Sequence, residues 1–250
     1  MLSLSKYVAA RFVMQKAFRL RQYLYGSALR QAQGERIYEL IPVKKNTMNI
    51  LLTGFEPFDG EVSNPSWEAV RGFNAQQIAG HVISCLQLPT EFGKASAILT
   101  AQLHALQPEL CFCVGQAGGR ALISLEKVAI NFRHARICDN AGLQPQHQTI
   151  ALNSPTAYFA NFDFSDALMR LHHAGIPAEL SFSAGAFVCN EVFYALCQMQ
   201  SLQPQLRGTF VHIPYAPVQV LNKPGVPSMA RETVEKAILL LVETGLRSHE

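Results

Sequence analysis

The chain has 250 residues, 49% hydrophobic and 16% charged, with a formal net charge of +3, a composition that suits a globular protein with one sizeable core and excludes disordered and collagen-like classes. Residues 1–47 hold nine basic and two acidic side chains, a balance of +7, so residues 48–250 carry twelve against sixteen, or −4. The basic charge is confined to the first fifth, and the remainder offers no basic face for nucleic acid.

That first segment is rich in Arg, Ala and Gln and reads either as a targeting or membrane-surface stretch or as an upstream extension. The second reading is the expectation, because Met48 stands directly before Asn49-Ile-Leu-Leu-Thr-Gly54, a buried first strand that begins a domain cleanly. Residues 1–47 are thus assigned to an extension outside the fold and 48–250 to one domain. There is no apolar run followed by a small-residue cleavage site near the start, so no secretory signal is read and the chain is expected to be cytoplasmic. The strongest apolar run, Ala237 to Val242, falls far short of the roughly 20 residues a bilayer requires, so no membrane partner is expected.

From Met48 onward, strands are predicted at 49–53, 81–87, 110–115, 124–131, 179–183 and 208–214, and helices at 66–77, 92–106, 165–174, 189–200 and 229–246. Short apolar runs alternating with helical periods predict an α/β fold, an open mixed but largely parallel twisted sheet with helices on both faces. The last helix has the clearest period, with Val234, Ala237, Ile238, Leu241 and Val242 on one side and Gly245 as its expected C-cap. Glu56–Pro65, Phe132–Pro155 and Tyr215–Pro227 resist the pattern, and long irregular loops in such domains commonly carry function.

The six cysteines are Cys85, Cys111, Cys113, Cys138, Cys189 and Cys197. No Cys-x-x-Cys or His-Glu-x-x-His occurs, so no metal and no cofactor is expected, and the thiols are read as reduced. Cys111 and Cys113 lie in a run read as a buried strand, and the expectation is that their thiols leave on different faces.

Cys189 is the sharpest candidate. In Ser183-Ala-Gly-Ala-Phe-Val-Cys189-Asn190 a strand ends, Gly185 permits a tight turn and a helix follows. A thiol at a helix start meets free backbone N–H groups and the positive end of the macrodipole, which favour thiolate and can receive an oxyanion. His212, near the end of the apolar run Gly208–Tyr215, lies where ligand crevices form in α/β sheets. Glu126 is a carboxylate inside the apolar run Ile123–Ile130 and needs a partner. Nucleophile, base and a carboxylate that fixes the imidazole tautomer make up a complete set.

Gly54-Phe-Glu-Pro-Phe58 with Asn64-Pro-Ser66, Gly115-Gln-Ala-Gly-Gly-Arg120 with Glu126-Lys-Val-Ala-Ile-Asn131, Ala135-Arg-Ile137 with Asp139-Asn140, Ser183 to Asn190, and His212-Ile-Pro-Tyr215 occur in this order. Over about residues 48–246 the chain resembles the pyroglutamyl peptidase I (pyrrolidone-carboxylate peptidase) family of cysteine peptidases. The resemblance implies a cytosolic, homotetrameric enzyme that removes an N-terminal pyroglutamyl residue from peptides through a thioester, with Cys189, His212 and Glu126 as catalytic residues. It further implies Phe55 and Phe58 as walls for the lactam ring, Phe187, Val188 and Ile137 beside them, Gln116 and Asn64 as polar contacts or loop supports, and Arg136 near developing negative charge. Asn64-Pro65-Ser66 also reads as a simple helix cap.

Three positions depart from the family pattern: Asp59 stands where Gly follows Phe58, Ala186 replaces Thr, and Cys138 replaces Pro. They bear on affinity more than on reaction type. The competing readings are a non-catalytic pyroglutamyl- or peptide-binding protein, a serine hydrolase, against which the absent Gly-x-Ser-x-Gly elbow counts, and nucleoside phosphorylase-like chemistry on a similar sheet.

Overall fold

The computed structural model describes residues 48–247; the extension assigned to 1–47 lies outside the described residues. Strand β1 (Asn49–Phe55) is an almost wholly buried apolar run, the signature of a strand covered on both faces. It pairs in parallel with β3 (His81–Leu88) on one side and β4 (Leu110–Gln116) on the other. β4 in turn pairs in parallel with β9 (Arg207–Ile213). On the far side of β9 the direction reverses: β5 (Ile123–Glu126) runs antiparallel to it and parallel to the edge strand β8 (Ala178–Ser181). A two-residue strand β2 (Gln77–Ile78) caps the other edge, giving the order β2-β3-β1-β4-β9-β5-β8. This is the open, mixed, mostly parallel sheet read from the sequence.

Helices cover both faces. Helices α1 (Pro65–Val70), α3 (Phe164–His173) and α5 (Arg231–Arg247) form one layer, and α2 (Lys94–Leu106) packs on α4 (Val188–Leu202) in the other. Helix α1 starts where the sequence signals it. The Asn64 carboxamide oxygen accepts from the Ser66 N–H (3.1 Å) with Pro65 in the first turn, where a missing N–H costs nothing.

Several expectations are corrected. The helix expected over 66–77 ends at Val70, continues as a 3-10 turn over Arg71–Phe73, and breaks at Ala75, whose φ of +63° is left-handed. The single strand expected over 124–131 is two strands. Lys127 donates its N–H to Ser181 O (2.7 Å), after which the chain leaves the main sheet as β6 (Val128–Ile130) and pairs with β7 (Ala157–Phe159), a strand the sequence pattern did not signal. Gly245 is no cap but an interior residue of α5, where a Cβ would come within 2.6 Å of the Leu110 side chain. Cys111 and Cys113 do not point apart. Residues two apart on a strand share a face, and their sulfurs are 4.0 Å from each other in the core.

Candidate active site

The carboxyl ends of β1, β4 and β9 meet the start of α4 around a cavity of about 180 Å³ lined by Phe55, Phe58, Asn64, Thr90, Gln116, Ala117, Arg120, Ala184, Gly185, Phe187, Cys189 and His212. This is the crevice position expected of an open α/β sheet. Its small volume suits a compact flat group rather than a drug-sized ligand.

Cys189 is the second residue of α4, whose start carries no side-chain cap, so first-turn N–H groups remain without a side-chain acceptor. Gly185, at φ +78°, provides the turn that leads into it. The sulfur packs against β4 at Gly115, where a Cβ would lie 3.1 Å from it and 2.7 Å from the Phe210 ring; only glycine leaves the thiol room. Burial pushes the thiol up to about 12, with Glu126 and Cys113 adding to the rise, while Arg120 and the residue's own backbone N–H oppose it.

His212 and Glu126 are brought together by strand register. Glu126 lies opposite Phe210 on antiparallel β9, and His212, two residues further on, shares that face. His212 Nδ1 is 2.7 Å from Glu126 Oε1. Burial draws the imidazole below its ordinary value although the carboxylate partner pulls the other way. Burial alone would raise Glu126, but hydrogen bonds from His212, Ser181 and Arg120 outweigh it and hold the carboxyl low. An ionised Glu126 accepts from Nδ1–H, which fixes the tautomer with Nε2 free. Both shifts favour the neutral thiol and the neutral imidazole over a preformed ion pair.

Phe187 is bracketed by Phe58 (centroids 6.2 Å) and Phe92 (5.2 Å, edge-on), so the cavity has an aromatic wall in a favourable tilted geometry. The loop that carries Phe58 is tied down at several points: Asn64 Nδ2 and Thr90 Oγ1 both donate to Glu56 O (3.0 Å each), Asn140 Nδ2 to Pro57 O (2.9 Å) and Lys223 Nζ to Glu61 Oε1 (2.9 Å). Asn64 is thus both helix cap and loop support. Asp59 adopts φ +54°, which explains glycine as the usual residue there; Asp is among the few side chains that tolerate it. Gln116 Oε1 accepts from Gln219 Nε2 (3.0 Å), so this polar wall is itself held from the loop after β9.

Arg136 is exposed, Ile137 half-buried and Val188 fully buried; none of the three is among the lining residues. In the segment of Arg136 and Ile137 it is Asp139 that ties the loops together, its carboxylate accepting from the N–H groups of Phe92, Ala141 and Leu143. Conversely Arg120, Thr90, Phe92, Ala117 and Ala184 carry no role in the sequence reading, where Gly185 enters only as a turn residue. Arg120 had the readable signal, as the one cation in the glycine-rich segment before a buried carboxylate. Among the described residues no cluster of three or more His, Cys, Asp or Glu is placed to hold a metal ion.

The model of the pyroglutamyl peptidase family matches residues 48–248. Pyrrolidone-carboxylate peptidase 1 of Ralstonia nicotianae is 47% identical over 202 residues, covering 80% of this chain and 94% of that protein. The corresponding peptidase of Klebsiella pneumoniae is 47% identical over 198 residues, covering 79% and 92%. Among solved structures, pyroglutamyl peptidase I of Bacillus amyloliquefaciens superposes with a TM-score of 0.76 at 42% identity, over 80% of this chain and 96% of that one. A mutant pyrrolidone carboxyl peptidase of Pyrococcus furiosus gives 0.79 at 35% identity, over 81% and 100%. The chain, with its cysteine and histidine in one crevice at the sheet's carboxyl edge, belongs to the pyroglutamyl peptidase family.

Proposed function

We propose that the domain from residue 48 onward is a cysteine peptidase that hydrolyses the amide bond after an N-terminal pyroglutamyl residue. The observation that carries this is the convergence of Cys189 and His212 on one small aromatic-walled cavity, with Glu126 2.7 Å behind the imidazole. The lactam lies among Phe55, Phe58 and Phe187, with Gln116 and Asn64 as its polar neighbours; an uncharged ring needs an apolar slot and few hydrogen bonds. His212 Nε2 takes the Cys189 proton as sulfur attacks the pyroglutamyl carbonyl. Backbone N–H groups at the start of α4 hold the oxyanion, and the imidazolium, steadied by Glu126, gives its proton to the departing amine. Water, deprotonated by the same imidazole, then cleaves the thioester and restores the thiol. A non-catalytic binding protein would not need a thiol, a base and an orienting carboxylate in register.

The test is release of a coumarin from its pyroglutamyl derivative. Cys189→Ala reduces release to background with an unchanged circular dichroism spectrum and melting temperature; retained turnover in that variant overturns the reading. A chain started at Met48 is expected to match the full chain in kcat/KM.

A further inference from the structure

Arg120 sits in the short connection between β4 and β5, and that connection is built to aim it. Ala117 donates its N–H to Ile213 O (2.8 Å), Arg120 donates its own to Ala117 O (3.2 Å), and Gly119 takes φ +88° in the turn between them. Gly118 lies so close to Tyr215 that a Cβ would approach its hydroxyl oxygen to 2.3 Å. From this turn the guanidinium reaches two places. Nη1 donates to Glu126 Oε1 at 2.7 Å, the same oxygen that accepts from His212 Nδ1, and Nη2 donates to Ser183 O at 2.9 Å.

We propose that Arg120 is the positioning residue of this site: its guanidinium fork fastens the carboxylate that orients His212 to the loop that presents Cys189, so that base and nucleophile are held in one frame. The inference rests on the peptidase reading above. Two strands fix His212 and Glu126 against each other, and Asn190 and Glu191 fasten the first turn of α4 through hydrogen bonds with Ile130, Phe132, Gly93 and Ser96, but the loop that leads into Cys189, residues 183–187, has few ties of its own. Within it, Gly185 N–H makes only a long contact to Ser183 Oγ (3.3 Å), and Ala186 O accepts from His134 N–H (3.0 Å). One planar side chain with two parallel donors spans the gap, which a lysine, a single point of charge, does not.

The same placement has an electrostatic consequence. The groups acting on His212 are Glu126 from β5 and Arg120 from the β4–β5 connection; Cys189 of α4 lines the same cavity, and Cys113 of β4 acts on the thiol. The Arg120 charge opposes protonation of the imidazole and, by sharing Oε1, competes for the carboxylate that favours it. Arg120 thus helps keep the base unprotonated.

Arg120→Met and Arg120→Lys separate the two effects. For Arg120→Met, kcat/KM on the pyroglutamyl-coumarin substrate falls about tenfold to hundredfold, the range that charge-assisted hydrogen bonds command, and its acid limb moves to higher pH. For Arg120→Lys, which keeps the charge but not the fork, the acid limb stays while kcat falls. An unmoved limb in Arg120→Met, or a wild-type kcat in Arg120→Lys, overturns the inference. Should Arg120→Met fail to fold, the lysine variant decides alone: an unmoved limb with reduced kcat sustains the inference, and anything else sinks it. Alkylation of Cys189 by iodoacetamide, followed by peptide mass spectrometry across pH so that exposed Cys138 is counted apart, needs no turnover. A profile shifted in Arg120→Met relative to a wild type that releases no coumarin means the peptidase reading has failed while the Arg120 frame stands; an unshifted profile beside a wild type that does release coumarin means the frame has failed while the reading stands.

Discussion

At the residue scale the site works by burial as much as by pairing. His212 is 3% exposed and Glu126 fully buried, and a charge in such a place is costly unless matched. Glu126 is matched twice, by the imidazole and by a guanidinium, so it bears the site's negative charge while thiol and imidazole rest neutral. The pH dependence follows. In the mechanism proposed above the base is an unprotonated His212, whose affinity for protons is lowered chiefly by burial, so kcat/KM is expected to fall on the acid side at a pH below the ordinary histidine value of about 6.5. The thiol, raised to about 12, loses no proton of its own on the alkaline side of neutrality, leaving a broad plateau there. An acid limb above the ordinary histidine value, measured with substrate well below saturation, contradicts this account. All three of these residues were legible in the sequence because each broke a local rule: a thiol at a turn before a helix, and an acid and an imidazole in apolar strand runs. Arg120 stood out only as the one cation of a glycine-rich segment, and its partnership with Glu126 depends on a turn that no periodicity announces.

At the scale of elements, the strands that build the site were read almost to their boundaries, since fully buried runs such as Asn49–Phe55 and Leu110–Gln116 leave few other possibilities. The misreadings fell where tertiary contact overrides pattern. The run Ile123–Ile130 is continuous in hydropathy but divides at Lys127, because Ser181 takes one N–H and β7 takes the next stretch. The α1 entry illustrates how the elements meet. Ser66 Oγ accepts from the Phe55 N–H (2.9 Å), so the end of β1 and the start of α1 are clasped directly. At Gly54 a Cβ would stand 2.6 Å from the Cα and N of Trp67, and backbone cannot yield as a side chain does. Gly54→Ala is therefore expected to force β1 and α1 apart at about 1–3 kcal/mol of overpacking, lowering the melting temperature by roughly 2–12 °C at this size. It also displaces Phe55, so KM rises along with the loss of stability. A variant with wild-type melting and KM would show that the clasp is not as tight as the backbone approach implies.

At the scale of the whole molecule, catalysis and stability draw on the same buried charges. The sheet places an imidazole and a carboxylate in the core, and each holds protons less readily when folded than when exposed. Unfolding returns His212 to its ordinary value near 6.5 and Glu126 to one near 4.5, so below those values the unfolded chain takes up protons that the folded chain refuses. The stability both contribute is full above their unfolded values and is lost as pH falls towards their folded ones. For His212 this window opens just below neutrality, well before surface carboxylates begin to titrate. Other histidines also titrate there, so the informative quantity is the difference in melting temperature between the wild type and His212→Asn, in which shared contributions cancel. Whatever its sign at pH 7.5, that difference should move in favour of the variant as pH is lowered from 7.5 to 5.5, because only the wild type carries an imidazole that resists protonation in the core. A difference that stays constant over this range would mean that His212 is protonated as easily in the folded protein as in the unfolded chain, and with it would go the neutral resting pair on which the mechanism depends.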